Sequence, residues 1–155
     1  MKVAFELNGR RVECETMPNR TLLDLLRVDL GLTSVKKGCE QGECGVCTVL
    51  LDGMPVNSCL VLAPQVERKA VTTMESLVDD PIMEVLRGAF MEDGAIQCGF
   101  CTPGMLLSAY ALLRENPEPT EQEVKTAIEG NLCRCTGYIK IIEAVLDAAE
   151  GIKAE

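Results

Sequence analysis

GCEQGECGVC, residues 38–47, places three cysteines among three glycines. The cysteines follow the spacing C-x4-C-x2-C, and a fourth cysteine, Cys59, comes after eleven further residues. Glycine adopts left-handed backbone conformations without a steric penalty from a Cβ atom, so such a loop can wrap closely around a bound group. The stretch therefore predicts a loop in which several thiolates converge on one centre.

The spacing matches the plant-type ferredoxin pattern, in which four thiolates bind a [2Fe–2S] cluster. An oxidised cluster of this kind keeps negative charge, and backbone N–H groups turned towards sulfur stabilise that charge. We therefore predict one cluster held by Cys39, Cys44, Cys47 and Cys59. The alternatives are a structural zinc site, which favours paired C-x2-C knuckles, and a disulfide framework.

Four more cysteines form a second group, with the spacings Cys98-x2-Cys101 and Cys133-x-Cys135. Each pair immediately precedes a predicted helix, whose N-terminus offers free N–H groups and partial positive charge. Two such termini would stabilise an anionic cluster. On spacing alone, this set is also compatible with an all-cysteine zinc site, which is the less favoured alternative. The ninth cysteine, Cys14, matches neither group and is predicted to be a small buried hydrophobe in a strand.

The composition excludes several classes of function. The chain has 155 residues, with 15 Lys and Arg against 24 Asp and Glu, a net charge of −9 and no histidine. Acidic surfaces repel phosphate backbones, so we expect no nucleic-acid partner. Without histidine the chain cannot form His-ligated zinc sites, Rieske centres or His-based triads. Neither a G-x-G-x-x-G motif nor a P-loop is present, so we expect no nucleotide site.

Residues 94–113 carry no charged side chain and are long enough to raise the possibility of a membrane span. Glycine, proline and polar residues fill the first half of this segment, so we predict no membrane span. The N-terminus lacks the long apolar stretch of a signal peptide. Nine cysteines without that signal predict reduced thiols and a cytoplasmic location.

The first half is predicted to be rich in β-structure. Asn8-Gly9 and Asp52-Gly53 are type I′ hairpin signals, and a last short strand is expected over 71–73. Between the hairpins, Thr21 is an N-cap signal for a leucine-rich helix that would end at Gly31. These elements predict a small mixed sheet packed on one helix.

The second half is predicted to be helical. N-cap signals stand at Asp80, Thr102 and Thr120, and a stiff Pro-containing connector covers 116–119. The expected helices cover 81–91, 103–115, 121–130 and 137–149. Four short helices with short links predict a four-helix bundle. The expected fold class is α+β, with one domain over 1–76 and a second over 77–155.

Three blocks together resemble a known family: residues 38–49, 97–104 and 130–138 are similar to the iron–sulfur subunit of molybdenum hydroxylases. This is the family of xanthine dehydrogenase and aldehyde oxidase. The resemblance covers nearly the whole chain. It implies an N-terminal plant-type ferredoxin-like β-grasp domain with one [2Fe–2S] cluster, and a C-terminal four-helix bundle with another.

The resemblance also implies roles for individual residues. The second cluster would be bound by Cys98, Cys101, Cys133 and Cys135. Gln97 and Cys135 would face the molybdopterin cofactor of a large partner subunit, since an amide can both donate to and accept from a pterin edge. A plainer role for Gln97 is to cap its loop. The first cluster would lie towards an FAD-binding medium subunit or another carrier, in a dimer of heterotrimers.

These observations predict an electron-transfer subunit that has no catalytic residue of its own. Electrons would pass between molybdopterin in the partner and a flavin or external acceptor. A binding protein with two zinc sites and a cytoplasmic redox sensor are the competing hypotheses. The substrate would be set by another chain, and purines, aldehydes, N-heterocycles, carbon monoxide and aromatic thioesters all remain open.

Overall fold

The computed structural model describes residues 1–154, and its first half is built on a five-stranded mixed sheet. In sheet order the strands run β2-β1-β5-β3-β4. Their bounds are β1 Lys2–Leu7, β2 Arg10–Glu15, β3 Thr48–Leu51, β4 Met54–Asn57 and β5 Ala70–Thr72. The inner pair β1 and β5 is parallel, with Glu6 opposite Ala70, and the other neighbouring pairs are antiparallel.

Both predicted hairpins are confirmed. Asn8 and Gly9 have φ of 53° and 77°, and Asp52 and Gly53 have φ of 50° and 83°. A type I′ turn requires positive φ at both central residues, which asparagine, aspartate and glycine tolerate. The two turns set the registers of β1 with β2 and of β3 with β4.

The predicted leucine-rich helix begins where expected but winds differently. Thr21 Oγ1 accepts a hydrogen bond of 3.1 Å from the backbone N–H of Asp24 and so caps α1, Leu22–Asp24. The chain then continues as a π-helical turn over Leu25–Asp29. The widened turn accompanies the burial of four leucines against the sheet, at positions 22, 23, 25 and 26. Short 3-10 turns follow at Ser58–Leu60, Ala63–Val66 and Met74–Ser76.

In the part of the second half that the structure describes, up to residue 154, there are four helices: α2 Pro81–Glu92, α3 Thr102–Glu115, α4 Glu121–Ile128 and α5 Ile139–Lys153. Asp80 caps α2 and Thr120 caps α4, as predicted. The expected Thr102 cap is wrong, because Thr102 is the first helical residue and Cys101 is the N-cap. The last helix starts later than predicted, since Gly137 and Tyr138 adopt left-handed φ of 67° and 72°.

Two hydrophobic cores organise the chain. One lies between the sheet and α1, and the other lies among the helices. Leu50 of β3 belongs to the helical core, which places α3 directly against the sheet. This is an α+β protein whose two halves are in contact. Among residues 1–154, no helix has both the length and the apolar character that crossing a membrane requires.

Candidate metal centres

Backbone N–H groups surround the sulfur of Cys39 in the first cysteine loop. The amides of Gln41, Glu43 and Cys44 lie 3.5, 3.3 and 3.3 Å from Cys39 Sγ and donate to it. The amide of Cys39 in turn donates to Cys44 Sγ at 3.4 Å. The loop achieves this only by turning through positive φ, at Glu40 (58°) among other positions. The glycine-rich sequence therefore forms a cradle for anionic sulfur.

The cradle changes the acidity of its central thiol. Hydrogen bonds from the backbone of Gln41, Cys44 and Glu43 lower the pKa of Cys39 from 9.0 to about 6. A thiolate, rather than a thiol, is the form that binds metal. The loop thus favours the thiolate form of Cys39 through its own backbone, without a contribution from a metal.

Cys47, the last residue of this loop, forms a buried pair with Cys59, and the two residues are 2% and 8% exposed. Cys47 precedes β3, and Cys59 lies in the 3-10 turn Ser58–Leu60 that follows β4. Burial, followed by a hydrogen bond and charge from Cys47, raises the pKa of Cys59 to about 11. Two buried thiolates this close repel each other, so only a bound cation would stabilise both in the ionised form.

A second cysteine pair forms where α3 and α5 begin. Burial and then the hydrogen bond and charge of Cys133 raise the pKa of Cys101 to about 12, with a further contribution from Cys98. Cys98 and Cys135 are exposed, whereas Cys101 and Cys133 are half-buried. The structure therefore brings together cysteines that the sequence separates by about thirty residues.

The loop before α5 holds Cys133 through its own side chains. Thr136 Oγ1 donates to Cys133 Sγ at 3.2 Å, and the amide of Cys133 donates to the hydroxyl of Tyr138 at 3.0 Å. Burial raises the pKa of Cys133, but the hydrogen bonds from Thr136 and from the backbone of Cys135 outweigh it and lower that pKa overall. Left-handed backbone at Tyr138 turns its ring back towards Cys133.

Gln97 and Cys135, the two residues expected to face a pterin, are in contact. Gln97 Nε2 donates to the backbone carbonyl of Cys135 at 3.3 Å. Both residues are exposed, and so is Cys98, which follows Gln97 in the chain. Exposed apolar side chains flank them, with Phe100 48% and Ile139 65% exposed.

The two cysteine loops touch each other. The backbone N–H of Leu132 donates to the carbonyl oxygen of Cys44 at 2.8 Å. Beside this bond, the Asn131 amide donates to the carbonyl of Gly45 at 3.0 Å. The two groups of four cysteines are therefore adjacent parts of one structure.

The pairing of cysteines suits a two-iron cluster. In a [2Fe–2S] cluster four thiolates are shared between two irons. The structure shows the pairs Cys39 with Cys44, Cys47 with Cys59 and Cys101 with Cys133. The cradle of N–H groups around Cys39 fits an anionic cluster.

Sequence reasoning missed the polar residues that support the ligand loops. Thr136 and Asn131 lie within the block 130–138 that carried the family resemblance, yet neither was assigned a role. Ser108 and Thr48 contact Asn131 from distant parts of the chain. The only signal in the sequence was the position of Asn131 two residues before Cys133, and its burial, at 5% exposed, is visible only in the structure.

Comparisons with known proteins also identify two iron–sulfur domains. A family model described as a 2Fe-2S iron–sulfur cluster binding domain matches residues 5–75, and one described as a [2Fe-2S] binding domain matches residues 73–146. The small FeS subunit of nicotinate dehydrogenase from Eubacterium barkeri is 53% identical over 96% of this chain and 94% of that protein. The small subunit of nicotine 6-hydroxylase from Paenarthrobacter nicotinovorans is 51% identical over 96% and 89%.

The chain belongs to the iron–sulfur subunits of the molybdenum hydroxylases. Solved structures agree: quinoline 2-oxidoreductase from Pseudomonas putida 86 superposes on this iron–sulfur subunit with a TM-score of 0.92 at 44% identity. That match covers 99% of this chain and 96% of the other. The aldehyde oxidoreductase of Desulfovibrio desulfuricans also gives 0.92, at 42% identity, and there the match occupies 17% of a longer chain.

Family membership confirms the main sequence-based predictions. This iron–sulfur subunit carries two [2Fe–2S] domains and transfers electrons within a larger oxidoreductase complex. The ferredoxin-like α+β character of the fold is likewise confirmed. The relatives are named as small subunits, which indicates larger partner chains.

Proposed function

We propose that eight of the nine cysteines are the ligands of the two clusters. One cluster would be bound by Cys39, Cys44, Cys47 and Cys59, and the other by Cys98, Cys101, Cys133 and Cys135. The observation that carries this proposal is the set of three N–H groups on Cys39 Sγ. When bound, a [2Fe–2S] cluster takes up and releases an electron. The protein's part is to supply thiolates, direct N–H groups at them and limit the access of water.

The exposed surface that carries Gln97 and Cys135 is proposed to face molybdopterin in a large partner subunit. The contact between these two residues holds the Gln97 amide at the surface, where it can both donate and accept. The first cysteine loop would then relay electrons to an FAD-binding medium subunit or an external acceptor. We propose a dimer of heterotrimers for the whole complex, located in the cytoplasm, where free thiols persist.

Two units are proposed within the chain: a ferredoxin-like β-grasp domain over 1–76 and a four-helix bundle over 77–155. The separation of the hydrophobic cores supports this division, since one core lies under the sheet and the other among the helices. The packing of α2 on α5 and of α3 on α4 would close the bundle.

The substrate of the complex is proposed to be an N-heteroaromatic compound. Relatives at 53% and 51% identity are named for nicotinate and nicotine, and the superposed structure is named for quinoline. The oxidation itself would take place in the large subunit, because no catalytic group is assigned to this chain. Assays of the purified complex with pyridine carboxylates, quinolines and aldehydes would test the substrate class.

Iron and acid-labile sulfide analysis tests the ligand assignment. The wild-type complex should contain about four iron and four sulfide per copy of this chain, as two [2Fe–2S] clusters require. Cys59→Ser should remove one EPR signal and Cys101→Ser the other. Cys14→Ser is the matched control, since this thiol lies away from both loops, with Sγ 3.9 Å from the carbonyl of Val3. Zinc without sulfide in the wild type would refute the assignment.

A further inference from the structure

Asn131 is a buried polar residue, 5% exposed, whose side chain bonds to three separate segments. Its Nδ2 donates to the Gly45 carbonyl at 3.0 Å and to Thr48 Oγ1 at 3.2 Å. Its Oδ1 accepts from Ser108 Oγ at 2.8 Å. One side chain thus joins the first cysteine loop, strand β3 and helix α3 to the second cysteine loop.

The chemistry of these partners requires an amide. A backbone carbonyl only accepts hydrogen bonds, so the group that faces Gly45 must be a donor. The amide oxygen accepts from the Ser108 hydroxyl, because the amide nitrogen already donates to Gly45 and Thr48. A carboxylate of the same shape would place an oxygen against the Gly45 carbonyl, and an aliphatic side chain would leave buried polar groups without partners.

The backbones around Asn131 approach without room for side chains. A Cβ atom on Gly45 would overlap the carbonyl oxygen of Gly130 and lie 2.8 Å from Asn131 Nδ2. A Cβ atom on Gly104 would lie 2.6 Å from the Gly45 carbonyl oxygen. The contact between the loops is therefore close packing around the amide of Asn131.

This contact lies directly between proposed ligands of the two clusters. The N–H of Leu132 donates to the carbonyl of Cys44, and Cys133 follows Leu132 in the chain. A single hydrogen bond therefore connects a ligand residue of the first set to the neighbour of a ligand in the second. Asn131 precedes Leu132 and bonds to Gly45, the residue after Cys44, so it holds this bond from one side.

We propose that Asn131 is a positioning residue for electron transfer between the two clusters. It fixes the separation and orientation of the two ligand loops through Gly45, and it preserves the bond between Leu132 and Cys44. Residues outside the ligand set commonly act in this way, by orienting the ligands. The inference rests on the proposed ligand sets, and it adds a role for a residue that binds neither cluster.

Asn131→Asp in the complete enzyme complex tests this proposal. The variant keeps the size of the side chain and replaces the donor that faces Gly45. We expect full iron and sulfide content and two EPR signals, with a weakened magnetic interaction between the reduced clusters. We also expect an electron re-equilibration rate between the clusters reduced by about 10-fold. Pulsed EPR and rapid reduction followed optically measure the two quantities.

Two further variants distinguish positioning from folding. Ser108→Ala removes only the bond to Asn131 Oδ1 and should give a smaller change in the same direction. Asn116→Asp is the matched control, because Asn116 bonds to surface residues Glu118 and Glu123 away from both loops, and it should leave the interaction unchanged.

Three results would overturn the inference or its basis. Unchanged magnetic interaction and rate in fully loaded Asn131→Asp would overturn the role of Asn131 alone. Loss of iron from both Asn131→Asp and Ser108→Ala would assign Asn131 to folding, and it would also overturn the role in transfer. Zinc without sulfide in the wild type would instead refute the proposed ligand sets.

Discussion

The hydroxyl of Tyr110 donates a hydrogen bond of 2.9 Å to Asp80 Oδ2, which joins α3 to the start of α2. The other carboxylate oxygen of Asp80 accepts from the amides of Ile82 and Met83 at 3.0 and 3.2 Å. Burial and then Asp80 raise the pKa of Tyr110, so the phenol remains a donor throughout the neutral range. One carboxylate therefore caps a helix and anchors its neighbour.

Asp80→Ala should destabilise the chain by about 2 to 3 kcal/mol, since it removes a helix cap and leaves the Tyr110 hydroxyl without a partner. Tyr110→Phe should lower the free energy of unfolding by about 1 kcal/mol in the wild type. In a chain that already carries Asp80→Ala, the same substitution should lower it by almost nothing. The temperature at which the visible absorbance of the loaded chain disappears measures both effects. Strict additivity of the two substitutions would contradict the shared role of the carboxylate.

Gly104→Ala and Gly88→Ala should have opposite effects. The new Cβ at position 104 would lie 2.6 Å from a backbone oxygen, whereas position 88 in α2 has nothing within 4 Å. We expect Gly104→Ala to cost about 1 to 3 kcal/mol through overpacking. Gly88→Ala should gain about 0.5 to 1 kcal/mol by reducing the freedom of the unfolded chain. Thermal unfolding compares the two, and equal effects would show that the contact at Gly104 relaxes freely.

Thr136→Val should lower the reduction potential of the second cluster. The hydroxyl donates to Cys133 Sγ at 3.2 Å, and a hydrogen bond to a ligand sulfur favours the more negative, reduced state. A bond of roughly 1 kcal/mol corresponds to about 40 mV for one electron. EPR-monitored potentiometry of the complex gives both potentials. Thr136→Ser keeps the hydroxyl, so the reduction potential of the second cluster should stay at the wild-type value. An equal shift in the potential of the first cluster in Thr136→Val would refute a local effect.

Glu75 should make stability depend on pH in the acid range. Its carboxylate accepts from Ser34 N and Oγ at 3.1 and 2.7 Å and from Thr73 Oγ1 at 2.6 Å. Burial raises the pKa of Glu75, but these hydrogen bonds outweigh it and lower the pKa below 4.5 overall. A carboxyl whose pKa is lower in the folded chain than in the unfolded chain stabilises the fold at every pH above its unfolded-state pKa. That stabilisation is lost as the pH falls through the folded-state pKa.

Glu75→Gln is the test of this dependence. At neutral pH the variant should be less stable by about 1 kcal/mol, a small cost because Glu75, although partly covered by its neighbours, is still exposed to water. The difference from the wild type should shrink as the pH falls below 4.5, the ordinary value for this carboxyl. Urea unfolding at several pH values measures it. A difference that stays constant with pH would show that charge on Glu75 contributes nothing.

Local chemistry explains which features could be predicted from the sequence. Asn8-Gly9 and Asp52-Gly53 determine their turns through φ alone, and Asp80 and Thr120 cap through bonds to residues two or three positions away. The first cysteine loop is equally local, because its glycines and thiolates are neighbours in sequence. Family resemblance then extended the prediction to the second set.

The unpredicted features depend on packing or on distant contacts. The π-helical turn Leu25–Asp29 arises where leucines pack under the sheet, which no propensity at those positions indicates. The late start of α5 follows from left-handed backbone at Tyr138, an unusual conformation for an aromatic residue. The bond from Asn131 to Gly45 joins residues 86 positions apart, so its partner could not be read from the motif.

The unequal exposure of the cysteines has a consequence for handling the protein. Cys47 and Cys59 are buried, whereas Cys98 and Cys135 are open to solvent. Dissolved oxygen and alkylating reagents reach accessible thiolates first. In a preparation that lacks the companion chains, oxidation and alkylation would therefore begin at Cys98 and Cys135, and the visible absorbance of the first cluster would persist longer than that of the second.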